Sequence, residues 1–278
     1  MNNVSSLKNI NRLAVIIVGE LRTWKIASQY LFNFFDRRAE QVDYFFVTWS
    51  VSSQTGELLQ ITSDDITEPF EKYNKNLIDY KICEPIGRHK TTYYNQAWLS
   101  KLGNMLKRNF EVSNDFVYDQ VIETRPDCYF RSSDTKWVIC KDFEYEGACP
   151  KTWDSGLLGV TDVYFRTTSF TNDLLSDRYK YMKSAHYNEI INDTHWEFNN
   201  HHWNMSEMLF RRLLNPISHN DTGDFTFFCC VRPNFPTDVN LDTINWKTLD
   251  DLFIGWGKPF ENFFYGPRSQ MPMVNKII

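Results

Sequence analysis

Leu13-Ala14-Val15-Ile16-Ile17-Val18-Gly19-Glu20-Leu21-Arg22-Thr23 joins an unbroken apolar run to a charged turn, and its reading decides the fold. A continuous run rich in β-branched residues predicts a strand buried on both faces, as in a parallel sheet covered by helices. Directly after it, Trp24, Ala27, Leu31, Phe34 and Phe35 recur at helical spacing, so residues 23 to 37 are expected to form a helix packed on that sheet. Tyr44-Phe45-Phe46-Val47-Thr48-Trp49 then reads as a second strand. Strand, charged turn, helix and strand make a βαβ unit.

The same alternation continues along the chain. After a polar loop around Ser50 to Gly56, Ser63 is placed to cap a short helix carrying Ile66, Phe70 and Tyr73. Leu77 to Cys83 reads as a third strand, and an amphipathic helix with Tyr94, Trp98, Leu102, Met105, Leu106 and Phe110 on one side follows. It delivers the chain to Val117-Tyr118-Asp119-Gln120-Val121-Ile122-Glu123-Thr124-Arg125-Pro126-Asp127, where an apolar strand again runs into charge. Beyond it, Trp137 to Cys140, Leu157 to Phe165 and Phe225 to Val231 read as strands. Helices are expected around Leu174, Leu175, Tyr179 and Met182, and around Met205, Met208, Leu209 and Leu213. The pattern predicts an α/β protein whose mostly parallel central sheet is flanked by helices. Residues 1 to 12 are polar and unpatterned, the mark of a loose arm, and residues 13 to 278 read as one domain without repeats or an interdomain linker.

Composition narrows the function classes. A formal charge of −5 and a pI near 5.7 argue against binding nucleic acid through broad phosphate neutralisation. The early apolar run Leu13 to Val18 is too short to span a bilayer and lacks the preceding basic region of a secretory signal, so the expectation is a soluble, cytoplasmic protein. Six cysteines without C-x-x-C spacing predict buried reduced thiols rather than a zinc or redox motif. Aromatic residues at 16%, with many Asn, Lys and Ile, fit sugar-stacking surfaces or the coding bias of an AT-rich genome such as a virus.

Two strand ends carry the chemistry. Gly19 to Thr23 lies where backbone amides of a strand-to-helix turn can receive a phosphate or a base, with Arg22 near the positive end of the following helix. Neither G-x-G-x-x-G nor G-x-x-x-x-G-K-[ST] is present, and an ordinary tight turn with Thr23 as helix N-cap is the plainer reading. Glu20 is suited to ribose hydroxyls or to solvent. At the second end, Arg125 can fork onto a phosphate while Asp127 ligates a hard cation through oxygen; the plainer reading is an Arg/Asp ion pair behind a strand ended by Pro126.

The apolar strand with Gly19-Glu20-Leu21-Arg22-Thr23, the Thr48-Trp49 strand end, and Ile122-Glu123-Thr124-Arg125-Pro126-Asp127 before Tyr129-Phe130 together resemble a group of bacterial and large-virus glycosyltransferases of the GT-A type, over roughly residues 13 to 215. The resemblance implies a single GT-A-like (Rossmann-like) domain. Residues 13 to about 130 would bind the nucleotide, and about 131 to 278 would form the acceptor side. The donor would be a nucleotide-diphosphate sugar and the acceptor a glycan or lipid-linked hydroxyl, in the cytoplasm of the host if the source is viral. It assigns Gly19, Glu20, Leu21, Arg22, Thr23 and Arg125 to the nucleotide and its diphosphate, and Asp127 to a Mn²⁺ or Mg²⁺ ion. In the usual motif, Asp-x-Asp, two carboxylates meet the metal. Here Arg125-Pro126-Asp127 puts a cation in place of one of them, which puts metal dependence in question.

On the acceptor side the resemblance favours Asp162 over Asp154 as a general base and matches Glu207 to an acidic residue opening a late helix. Asp162 reads more readily as a solvated or turn-forming residue, and Glu207 reads equally as the partner of Asn204 in a capping box. His195, His201 and His202 lack the i, i+4 spacing of a helical zinc pair, while Trp153, Trp196 and Trp203 suit either sugar stacking or loop anchoring. The alternatives are a non-catalytic glycan- or nucleotide-binding relative and a nucleotidyltransferase.

Overall fold

A computed structural model describes residues 8–54, 57–85, 92–130, 137–147, 164–177, 218–219, 228–231 and 264–265. The chain begins β1 (Ile10–Val18), α1 (Trp24–Asp36), β2 (Ala39–Trp49), as its apolar periodicity demands. Next come the hairpin strands β3 (Val51–Gln54) and β4 (Glu57–Gln60), α2 (Ser63–Lys72), β5 (Leu77–Cys83), α3 (Thr92–Ser113) and β6 (Gln120–Thr124). Later elements are β7 (Cys128–Phe130), β8 (Glu144–Gly147), β9 (Tyr164–Thr167), α4 (Ser169–Ser176), β10 (Ser218–His219), β11 (Phe228–Val231) and β12 (Phe264–Tyr265).

The central sheet runs β10-β8-β9-β6-β1-β2-β5. Its heart is β6-β1-β2-β5, all parallel, while β9 is antiparallel to both β6 and β8. Alternation along β1 sorts two cores. Leu13, Val15 and Ile17 face α1 and α2 with Trp24, Phe32, Phe46 and Phe70, whereas Ala14, Ile16 and Val18 face α3 with Phe45, Val47, Leu99 and Leu102. The chain builds β1, β2 and β5 outward in one direction and then returns through α3 to lay β6 on the other side of β1. That reversal makes the gap between β1 and β6 a topological switch point, where the carboxyl ends of an α/β sheet take ligands.

Several expectations are corrected. β1 starts at Ile10 rather than Leu13, because Ile10 and Arg12 pair with Ala39 and Gln41 and the Asp119 carboxylate accepts the N–H groups of Asn11 and Arg12 at 3.0 and 2.9 Å. The N-cap of α2 is Thr62, not Ser63; the Asp65 carboxylate folds back to accept the Thr62 N–H at 3.0 Å. Part of the stretch read as a polar loop is the β3–β4 hairpin. Residues 137 to 140 form no strand, because side chains bind their backbone: Asn9 donates to the Trp137 carbonyl (2.6 Å), Arg166 to that of Val138 (2.6 Å), and Gln120 brackets Cys140 on both sides. Cys83, Cys128 and Cys140 are buried thiols outside any disulfide, and burial pushes the Cys140 thiol up to about 11. Among the described residues no helix is long and apolar enough to cross a membrane.

Met105, expected on the buried side of α3, is exposed, and Gly103 explains why. A Cβ on Gly103 would sit 2.4 Å from Cγ2 of Ile16, so this is where the helix meets the sheet; two residues on, a side chain points nearly the opposite way. Gly103→Ala is therefore expected to destabilise by about 1–3 kcal/mol through overpacking, although alanine is the better helix former. A lowered urea midpoint is the expected result. A raised one would show that helix and strand can separate freely.

Candidate functional site at the β1/β6 switch point

Two turns meet at the carboxyl ends of β1 and β6. In the first, Gly19 has φ +135°, a conformation that disfavours any side chain, and its N–H donates to the Val47 carbonyl at 3.2 Å. A Cβ there would lie 3.3 Å from Cδ of Pro126 and 3.9 Å from Cγ of Arg125, so the two turns touch at this glycine. Arg22 also sits in the left-handed region, at φ +32°, with its N–H donated to Oγ of the buried Ser52 at 3.3 Å. Trp24 N–H then closes the turn onto the Leu21 carbonyl at 2.7 Å and α1 begins.

The second turn follows from Pro126. The Cys128 N–H donates to the Arg125 carbonyl at 3.3 Å, closing a β-turn with proline at its second position, where the fixed φ of the ring belongs. β7 then anchors the turn on α1, with Phe130 stacked against Phe34 at 5.2 Å and tilted against Phe35 at 5.0 Å. Arg125 and Asp127 are thereby fixed beside the first turn.

Asp127 is fully buried and is the hub of the site. Its Oδ1 accepts from Nε of Arg125 at 3.0 Å; its Oδ2 accepts from Nη2 of Arg125 at 2.8 Å and from Nη1 of Arg22 at 3.1 Å. Burial alone would push this carboxyl up, but the Arg125 and Arg22 guanidiniums outweigh it and hold it below the ordinary aspartate value. The arginine side chains remain 24% (Arg22) and 22% (Arg125) exposed. Nε of Arg22 also donates to Glu20 at 3.0 Å, and Glu20 is 31% exposed.

The structure thus brings Gly19, Glu20, Arg22, Arg125 and Asp127 together. The side chains of Leu21 and Thr23 are buried beneath the turn. Leu21 is packed in the core beside α1, and Thr23 is buried as the N-cap of α1, its carbonyl accepting from Ile26 and Ala27 and its side chain making no capping bond. The backbone amides of Gly19 and Arg22, expected to receive a phosphate, are already donated within the protein. Thr48 and Trp49 are buried too. Sequence reading missed Ser52, inside the supposed loop, and Gln96, whose side chain donates to the Val18 carbonyl at 3.4 Å. Asp154, Asp162, Glu207, His195, His201, His202, Trp153, Trp196 and Trp203 lie outside the described residues.

A divalent cation does not fit Asp127 as it stands. Both carboxylate oxygens face guanidinium groups, and a hard cation would have to enter against two positive charges to reach a carboxylate closed to solvent. Among the described residues no cluster of three or more His, Cys, Asp or Glu side chains is placed to hold a metal ion.

No protein-family model matches this chain, and no curated protein matches it. Among solved structures it is similar to the apo-form glycosyltransferase GlyE of Streptococcus pneumoniae TIGR4, with a TM-score of 0.38 and 10% identity over 76% of this chain and 45% of that one. The chain thus spans less than half the length of that structure.

Proposed function

We propose that the chain is a glycosyltransferase that moves a sugar from a nucleotide-diphosphate sugar to a hydroxyl on a glycan or lipid-linked acceptor. The observation that carries this reading is the meeting of Arg22 and Arg125 on one buried carboxylate at the sheet's switch point. In such a transfer the acceptor oxygen bonds to the anomeric carbon as the bond from that carbon to the diphosphate oxygen breaks, and the departing diphosphate gains negative charge. Guanidiniums fixed before the reaction stabilise that charge without reorganising. The acceptor's proton requires a base, for which Asp162 and Glu207 are the candidates.

Thermal-shift measurements against UDP-, GDP- and dTDP-sugars test the donor, with a CMP-sugar as the single-phosphate control, because a ligand that binds only the folded state raises its melting temperature. One donor class is expected to shift the transition and to be turned over. Arg125→Ala is expected to lower kcat/KM by about 10²–10³-fold, the size of a lost charge-stabilising donor. Absence of both shift and turnover for every donor would defeat the proposal. The sealed Asp127 favours one alternative, a nucleotide-binding relative without catalysis, and binding without turnover would select it.

A further inference from the structure

We infer that the β1/β6 site binds a diphosphate group without a divalent cation, Arg22 and Arg125 supplying the positive charge and Asp127 acting as the residue that positions them. This deepens the proposed function, whose donor carries such a group, and it stands on the arrangement of charges.

The guanidiniums of Arg22 and Arg125 come from separate turns yet donate to the same oxygen, Oδ2 of Asp127, at 3.1 and 2.8 Å, so they lie side by side. Two like charges are held at that separation because a buried anion lies between them. Asp127 binds from the protein side, and each arginine keeps about a quarter of its side chain open to solvent. Adjacent forked cations match an anion with two linked charged groups, and guanidinium forks match phosphate oxygens. The backbone beneath is fixed: Arg22 is held at φ +32° with its N–H on Ser52, and Gly19 packs on Pro126, so little ordering remains for binding.

Glu20 supplies the second observation. Its carboxylate sits on Nε of Arg22 at 3.0 Å in a partly exposed ion pair, the kind worth little in water. An anionic oxygen therefore already occupies one donor of the site, and an incoming diphosphate competes with it. Neutralising Glu20 must then tighten anion binding, whereas removing either arginine must weaken it. Opposite signs from neighbouring residues separate a ligand site from a structural ion-pair cluster.

Calorimetric titration of the intact chain with inorganic pyrophosphate, in EDTA and again in Mn²⁺, tests the inference. Pyrophosphate is expected to bind in EDTA. Affinity should fall about tenfold or more in Arg22→Ala and in Arg125→Ala, the size of a lost charge-assisted hydrogen bond, and rise several-fold in Glu20→Gln. Should the alanine variants fail to fold, Glu20→Gln, which leaves the buried carboxylate intact, decides the matter. Binding that requires Mn²⁺ overturns the inference and leaves the transferase reading standing; so does unchanged or weaker binding by Glu20→Gln. No pyrophosphate binding in either buffer overturns it as well. If UDP, GDP and dTDP bind no more tightly than pyrophosphate, the inference stands and the nucleotide-sugar reading fails.

Discussion

Glu146→Ala is expected to cost about 3–5 kcal/mol of stability, because it strands a buried cation. Arg166 lies in β9 with a fully buried side chain. Its Nη2 donates to Glu146 and, at 2.6 Å, to the Val138 carbonyl; its Nη1 donates to Oε1 of Gln120 at 3.1 Å; and its guanidinium carbon lies 4.6 Å from the centre of the Trp137 ring. Glu146 and Arg166 are cross-strand partners in the β8–β9 ladder, so the pair also fixes that register. Among the described residues, removing Glu146 leaves the guanidinium facing neutral acceptors and the indole. The melting temperature should fall by on the order of 10 °C. Glu146→Gln, which keeps an acceptor, should lose less, and the paired replacement Glu146→Leu with Arg166→Met should come close to wild type, since a well-packed apolar pair can replace a buried ion pair. A Glu146→Ala loss below about 1 kcal/mol would mean that water reaches the guanidinium once the carboxylate is gone.

This pair also shows where sequence reading stops. The strand and helix periods of β1, α1 and β2 were legible because burial on both faces leaves an unbroken apolar run and a helix leaves a 3.6-residue stripe; the helix expected over 23 to 37 is α1, Trp24–Asp36. Arg38, Lys107 and Arg166 are fully buried, yet a hydropathy pattern assigns each to the surface. Lys107 is buried because Glu111 and Asp173 pair with it at 3.2 and 3.1 Å, and Asp173 comes from a helix whose packing no local window contains. The site was half legible for the same reason. Charge at each strand end could be read locally, so Arg22, Arg125 and Asp127 stood out. That they share one carboxylate follows from β6 returning beside β1, a long-range pairing. The side chains of Leu21 and Thr23 face inward, which a turn's sequence does not say. Ser52 was missed because its short hairpin carries no apolar alternation to mark it.

The pH dependence of stability should reverse sign when both arginines are removed. In the wild type, Arg125 and Arg22 hold the Asp127 carboxyl below its ordinary value despite its burial. Its contribution is therefore fully present above the unfolded value of about 3.9 and is lost as pH falls through the lower folded value. In Arg22→Ala/Arg125→Ala the burial acts unopposed, the folded value rises above about 3.9, and the contribution is instead present in acid and lost as pH rises through the raised value. At pH 7 the double variant should be less stable by about 3–5 kcal/mol, the cost of a buried charge without its partner. Urea midpoints at several values between pH 4 and 7, taken as the difference from wild type, isolate this carboxyl from the other acids. Adding Asp127→Asn to the double variant should restore part of the loss at pH 7 and flatten the difference, since an amide has no charge to strand. A double variant that keeps the wild-type slope would show that Asp127 reaches solvent or another cation. Asp127 would then no longer need the arginines. The close approach of Arg22 and Arg125, on which the proposed diphosphate site depends, would have lost its physical cause.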